Sequence, residues 1–502
     1  MCSTTALHRH FNGIHRKAHI SREIKYLLKK KTMGHHAATE DSNKGSKEMN
    51  GNTNIMQEKQ NDSKKTALPK KVYTQRNSVL TDLMEVNHLQ TVYNISVAIC
   101  VLLFINLVMY YIATPEVFWR DIGIVGWAAS NVQLIVKMLI SFHIFAFLIL
   151  YGFKTWTRVR NKINTKLADL LFLLIYIAIA VSLFVATSYI LVQNVFRPIS
   201  NFIIMCEQVR IFLKTYSFVR ESAPRVLKYK PMKDGKQDHN LYPTVKHYSY
   251  YLFVPATIYR DSYPRKKEIN YGFVVAQIFK FFACIFISYC TCVRFMVDIF
   301  QDVGTTPFTL KEAALTLAGS MVIGSLSMFL IFYGFLHSWL NICAELLRFA
   351  DREFYQDWWN STSFSQYYRK WNTVIYDWLY TYVYIEANKI GISRSLSLVL
   401  VFFISSAIHE YIIAMSLGFF YPVLGVMYLT VGVSLMFVTK NRKSQFWNTF
   451  MWSMLFSGWG FVISLYCLEW HARSNCERLD NPIQDFFVPR SWSKSCHIIT
   501  FS

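Results

Sequence analysis

Runs of mostly apolar residues about as long as a bilayer is thick constrain this chain more than any other feature. They lie at 95–112, 132–153, 170–191, 271–293, 313–340, 396–417, 423–438 and 446–468. A helix of about 20 apolar residues crosses a bilayer with every backbone N–H and C=O satisfied inside itself. A ninth candidate, 199–213, carries Glu207 and Arg210. An isolated charge at mid-bilayer costs roughly 2.5–3.5 kcal/mol, so that helix is expected to be shielded inside a bundle. Only 17% of the 502 residues are charged and 53% are hydrophobic. A soluble domain carries about a quarter charged residues. The fold expected is an all-α polytopic membrane protein of about nine transmembrane helices with interfacial amphipathic helices.

The distribution of charge sets the topology. The net charge of +22 is concentrated between the spans, at Lys154, Arg158, Arg160, Lys162 and Lys166 and again at Lys440, Arg442 and Lys443. Residues 214–270 hold 12 Lys/Arg against five Asp/Glu. Basic loops face the cytosol. Nine spans with a cytosolic N-terminus put all of these on that side; dropping 199–213 would put 439–445 on the other. No interleaved aromatic and basic surface domain is present to grip nucleic acid. Residues 1–90 read as a basic, largely disordered cytosolic arm with a short helix at 21–28, residues 91–468 as the membrane domain, and residues 469–502 as a lumenal tail. Most of the ten cysteines lie inside apolar runs, and no Cys/His spacing suggests a metal site.

Three features invite chemistry. His409 lies inside a span with Ser405 and Ser406 on its helix face and Glu410 beside it. Ionisable groups in spans commonly mark function, and a neutral imidazole can act as a general base near pH 7. The bland reading is a core His bonded to a neighbouring helix, and His337 and His143 also sit in apolar runs. Phe354-Tyr355-Gln356-Asp357-Trp358-Trp359-Asn360 is dense in rigid aromatics, which composition alone reads as an interfacial belt. From Trp371, apolar residues recur at 374, 375, 378, 379 and 382, the spacing of an amphipathic helix at the membrane interface.

Those residues carry a resemblance. Phe354, Tyr355, Asp357, Trp358, Trp359 and Asn360, then Trp371-Asn372 and Ser405-Ser406-Ala407-Ile408-His409-Glu410-Tyr411, resemble the membrane-bound O-acyltransferase superfamily. Phe218-Val219-Arg220-Glu221, Ile258-Tyr259-Arg260-Asp261-Ser262-Tyr263-Pro264-Arg265 and Pro489-Arg490-Ser491-Trp492 are similar to its sterol O-acyltransferase branch, from about residue 78 onward.

The resemblance implies transfer of a long-chain acyl group from acyl-CoA, a co-substrate, to the 3-hydroxyl of a sterol, without cofactor or metal, with His409 as base and Asn372 as its partner. Gln366, Arg369, Asn372, Tyr376, Tyr384, Arg394 and Ser405 would line the acyl-CoA path. Family members carry Asn, His and Lys where this chain has Gln366, Tyr376 and Arg394. His88 matches a sterol-contacting His. The resemblance also implies a Cys476–Cys496 disulfide, a homodimer or homotetramer, and residence among the lipids of the endoplasmic reticulum membrane. A diacylglycerol or other lipid-alcohol acyltransferase is the alternative of the same class. A transporter with His409 on its substrate path is the alternative of another.

Overall fold

The computed structural model describes residues 71–160, 162–194, 197–228, 242–291, 296–300, 302–305, 310–492 and 496. The helix expected at 21–28 lies outside them. Among the described residues there are helices and two isolated β-bridges but no strand. The helices in chain order are α1 (Val79–Leu83), α2 (Asn87–Ala113), α3 (Pro115–Ala128), α4 (Val132–Val159), α5 (Thr165–Gln193), α6 (Pro198–Lys228), α7 (Val245–Phe253), α8 (Tyr271–Thr291) and α9 (Lys311–Leu346). There follow α10 (Phe364–Trp371), α11 (373–389), α12 (Arg394–Leu417), α13 (Val423–Val438), α14 (Gln445–Asn475) and α15 (Pro482–Phe487).

Among the described residues seven helical stretches are long and apolar enough to cross a membrane, each overlapping one of the expected runs. The other two runs are helical as well. Residues 423–438 form α13, a shorter apolar helix with a π turn at Tyr428–Gly432. Residues 199–213 belong to the 31-residue α6. The two charges of the run meet one turn apart, with Arg210 donating to both Glu207 oxygens at 2.6 and 2.7 Å. Such a bidentate pair neutralises both groups, so neither stands alone in the bundle.

Helix ends follow the local sequence. Asn164, Thr244, Ser363, Asn372 and Ser393 each accept a backbone N–H in the first turn of α5, α7, α10, α11 and α12. Gly418, at φ +79°, ends α12 in the left-handed conformation that glycine adopts without Cβ strain.

Two expectations need correction. The arm was drawn to residue 90, yet residues 71–90 belong to the folded unit. Arg76 forms a β-bridge with Asp351, and Tyr73 packs on Tyr263 and Phe349. Their basic, polar composition concealed partners nearly 280 residues away. The amphipathic helix from Trp371 exists as the end of α10 and α11, but its apolar stripe faces protein. Trp378, Leu379 and Tyr382 are buried against Val209, Leu213 and Ile258, and Trp378 Nε1 donates to the Leu213 carbonyl at 3.0 Å. Periodicity reveals which face is apolar and is silent on what covers it.

The tail is pinned as well. Cys476 and Cys496 form a disulfide. Fully buried Glu469 on α14 accepts from Arg473 Nε at 2.6 Å, from the backbone of Arg490 and Ser491 at 2.9 and 3.0 Å, and from the Ser491 hydroxyl at 2.6 Å. Arg490 in turn holds Asp485 through two 2.7 Å bonds. Those bonds keep the Asp485 carboxyl below its ordinary range. Replacing Glu469 with alanine strands these donors in a buried site. We expect a loss of about 3–5 kcal/mol, read as a lowered melting temperature in detergent, with Glu469→Gln less affected.

Candidate functional site

The site grows from α12. His409 Nδ1 lies 2.7 Å from the Ser405 carbonyl, one turn earlier on the same helix. A carbonyl oxygen only accepts, so Nδ1 carries the hydrogen and Nε2 of the neutral ring keeps its lone pair. His409 is exposed rather than packed away, so its ring is open to a reactant. Its ring stacks on Tyr428 of α13 at 5.9 Å.

Glu410 sets the neighbouring helix. It accepts the Gly425 N–H at 2.6 Å and the Tyr466 hydroxyl at 3.0 and 3.2 Å. Buried Glu410 thus ties α12 to α13 and α14, and Gly425 lies three residues before Tyr428. A Cβ on Gly425 would meet Glu410 Cγ at 3.2 Å, so glycine permits the close approach. Tyr411 reaches Ser188 at 3.0 Å and donates to Gln208 at 3.2 Å, fixing the far side of α12.

Residues before α11 pack against α12 and α13. Tyr368 on α10 packs on Phe402 of α12 at 4.8 Å and on Tyr428 at 6.0 Å. Four residues on, Asn372 caps α11 by accepting the Ile375 N–H at 3.2 Å. The cap employs the carboxamide oxygen and leaves the NH₂ as the donor end of the side chain. Buried apolar residues of α11 and α12 share one cluster, in which Trp378 and Tyr382 pack with Ile404 and Ile408. Among the described residues no group of three or more His, Cys, Asp or Glu gathers where a metal ion could be held.

The aromatic motif is a buried knot rather than an interfacial belt. Phe354, Tyr355 and Trp358 are at most 1% exposed. Trp358 packs on Phe332, Trp371 and Trp452 at 5.0, 4.8 and 5.2 Å. The Trp359 carbonyl accepts from Asn448, and Asp357 pairs with Lys370 at 3.0 Å. Thr373 donates its N–H to the Phe354 carbonyl at 3.0 Å, so the knot fixes the residue next to Asn372.

A profile of the membrane-bound O-acyltransferase family matches residues 202–468. The chain is 35% identical over 432 residues to sterol O-acyltransferase 1 of Mus musculus, covering 84% of this chain and 79% of the relative. It is 37% identical over 437 residues to sterol O-acyltransferase 1 of Chlorocebus aethiops, with 84% and 78% covered. With sterol O-acyltransferase 2 of Homo sapiens it shares 36% over 436 residues, with 85% and 80% covered. The chain belongs to the membrane-bound O-acyltransferase family.

This acyltransferase therefore falls in the sterol O-acyltransferase branch, and the transporter reading is set aside. Of the remaining site residues, Tyr376 and Tyr384 lie on one face of α11. Between them Tyr380 stacks on both, at 5.7 and 5.3 Å, and makes a continuous aromatic ladder that the sequence reading missed. An i, i+4, i+8 tyrosine repeat was its available signal. Gln366 accepts the Thr362 N–H at 3.3 Å. Arg369 and Arg394 are exposed, Arg394 in the first turn of α12. His88 is exposed in the first turn of α2, and no bond joins it to the His409 surroundings. Tyr368, Tyr428 and Tyr466 were also missed, because each acts from a different helix. His337 is bonded to the Tyr355 hydroxyl at 2.7 Å. His143 makes the same helix-carbonyl bond as His409, to Leu139 at 2.8 Å, but its ring stacks on Phe253 and its Nε2 is buried, whereas His409 is exposed.

Proposed function

We propose that this acyltransferase moves a long-chain acyl group from acyl-CoA to the 3-hydroxyl of cholesterol or a related sterol. One observation carries the chemistry: the Ser405 carbonyl holds His409 in the tautomer whose Nε2 is free to accept a proton. As the sterol oxygen attacks the thioester carbonyl carbon, Nε2 takes the hydroxyl proton. The C–S bond then breaks, and the imidazolium returns that proton to the departing CoA sulfur, leaving steryl ester and CoA thiol. The Asn372 NH₂ donates to the carbonyl oxygen as negative charge develops there. Placement of His409 within an apolar span limits the bulk water that competes for the thioester.

Arg369 and Arg394 supply cationic partners for CoA phosphates, and Gln366, Tyr376, Tyr384 and Ser405 flank the same path. His88 is assigned to the sterol side of the site. The basic loops support a cytosolic N-terminus, acyl-CoA entry from that face and a lumenal C-terminus. Residence in the endoplasmic reticulum membrane, as a homodimer or homotetramer, is carried over from the family resemblance alone.

The test is a competition. Purified protein in liposomes receives labelled oleoyl-CoA with equimolar cholesterol and diacylglycerol. The expected product is predominantly cholesteryl oleate, and predominance of triacylglycerol would move the protein to the diacylglycerol alternative.

A further inference from the structure

The segment before α1 makes a set of charged contacts that the chemistry above does not use. Lys71 Nζ lies 2.7 Å from Asp377 and 3.9 Å from Glu353. Arg76 pairs with Asp351 at 2.7 Å through Nε and with Glu353 at 2.7 Å through Nη1. The strap is held in register by its backbone. Arg76 N–H donates to the Ala350 carbonyl, Arg352 N–H to the Arg76 carbonyl, and Thr74 N–H to Asp351, at 2.9, 3.1 and 2.9 Å. Arg260 also donates to the Lys71 carbonyl at 3.2 Å.

Two of the acids sit on the segments next to Asn372. Asp377 stands on α11, whose cap is Asn372. The Glu353 carbonyl accepts the hydroxyl of Thr373, the first residue after Asn372, and the adjacent Phe354 carbonyl accepts the Thr373 N–H. Lys71 therefore grips α11 just past its cap, and Arg76 grips the strand of chain that holds Thr373. The side chains of Lys71, Glu353 and Asp377 are only 18–22% exposed, so these pairs are sheltered from solvent screening. Burial pushes the Asp377 carboxyl above its ordinary range, and Lys71 opposes that shift.

We propose that Lys71 and Arg76 are positioning residues for the acyl transfer, an N-terminal latch that clamps Asp377 and Glu353 and so fixes where Asn372 presents its amide. The proposal rests on the role given above to Asn372. Neither cation touches the reacting atoms; each acts through the helix cap. Small displacements of a catalytic group carry large rate penalties, because the reacting geometry tolerates little error.

The experiment compares Lys71→Met, which keeps the stem and removes the charge, with the conservative Lys71→Arg and with Asn372→Ala. Lys71→Met is expected to lower kcat about tenfold, with the KM for oleoyl-CoA shifted less than about twofold. Lys71→Arg should recover most of the rate. Amide exchange of full-length protein should quicken several-fold over 373–379 in Lys71→Met and stay unchanged over 396–412, because only the cap has loosened. Unchanged activity with unchanged exchange at 373–379 would overturn the proposal. So would exchange that rises throughout the bundle, since that marks a general loss of stability. Full activity of Asn372→Ala would sink the role of Asn372 itself, an outcome recognised separately because the exchange arm still reports whether Lys71 holds the cap.

Discussion

Replacing His409 with alanine will abolish ester formation while the protein still folds and accumulates. The ring is held by one bond to its own helix, at Ser405, and by a stack on Tyr428, so its loss removes little packing. What disappears is the Nε2 lone pair. Losing a general base typically costs about 10²–10⁴ in rate. His409→Asn is expected to be equally inactive, because an amide can restore a bond to Ser405 but does not take a proton near neutral pH. Labelled acyl-CoA in microsomes reads the result. His143→Ala should retain most activity, and His337→Ala should act chiefly through stability, because His337 is bonded to the buried Tyr355. Near-normal activity of His409→Ala would refute the mechanism.

The second large effect concerns folding rather than chemistry. Where α9 crosses α14, Gly324 and Gly460 bring the two backbones together. A Cβ on Gly324 would lie 2.5 Å from the Gly460 Cα, and one on Gly460 would strike the Met321 backbone. Small residues permit such crossings in membranes, where close backbone packing drives helix association. Neither obstacle is a flexible side chain, so relief requires the helices to separate. Gly460→Val is expected to cost more than the about 1–3 kcal/mol typical of overpacking, and to leave little monodisperse protein when a fluorescent fusion is run on a sizing column. Even Gly460→Ala should be impaired. Gly152→Ala is the control, since a Cβ there meets nothing within 4 Å. Equal yields for the two alanine variants would contradict the packing described.

Particular residues show how far the sequence reveals this architecture. Apolar runs marked each long span because a membrane helix must be apolar around most of its circumference. Glu207 and Arg210 weakened the signal of α6 in sequence, and their mutual pairing explains why the helix tolerates them. His409 was conspicuous because an ionisable group is rare in such a run. The aromatic motif was visible, but its burial was not, since a run of Trp and Tyr suits an interface or a core equally well. Lys71 and Arg76 resembled any basic arm, and their partners at 351–377 are contacts that no local pattern encodes. Tyr428 and Tyr368 escaped notice because the following helix lays Tyr428 on His409, and Tyr368 of α10 packs on Tyr428.

The proposed chemistry puts acyl transfer at Nε2 of His409 with the Asn372 amide as its partner. The most direct measurement is an experimental structure of the protein in lipid nanodiscs with a non-hydrolysable oleoyl-CoA analogue. The thioester position is expected beside His409, with its carbonyl oxygen within about 3 Å of the Asn372 NH₂ and room for an alcohol oxygen within hydrogen-bond reach of Nε2. The CoA phosphates are expected at Arg369 or Arg394. An analogue bound with its thioester position remote from His409, such as in the apolar cavity lined by Leu107, Tyr111 and Phe286, would contradict the proposed chemistry.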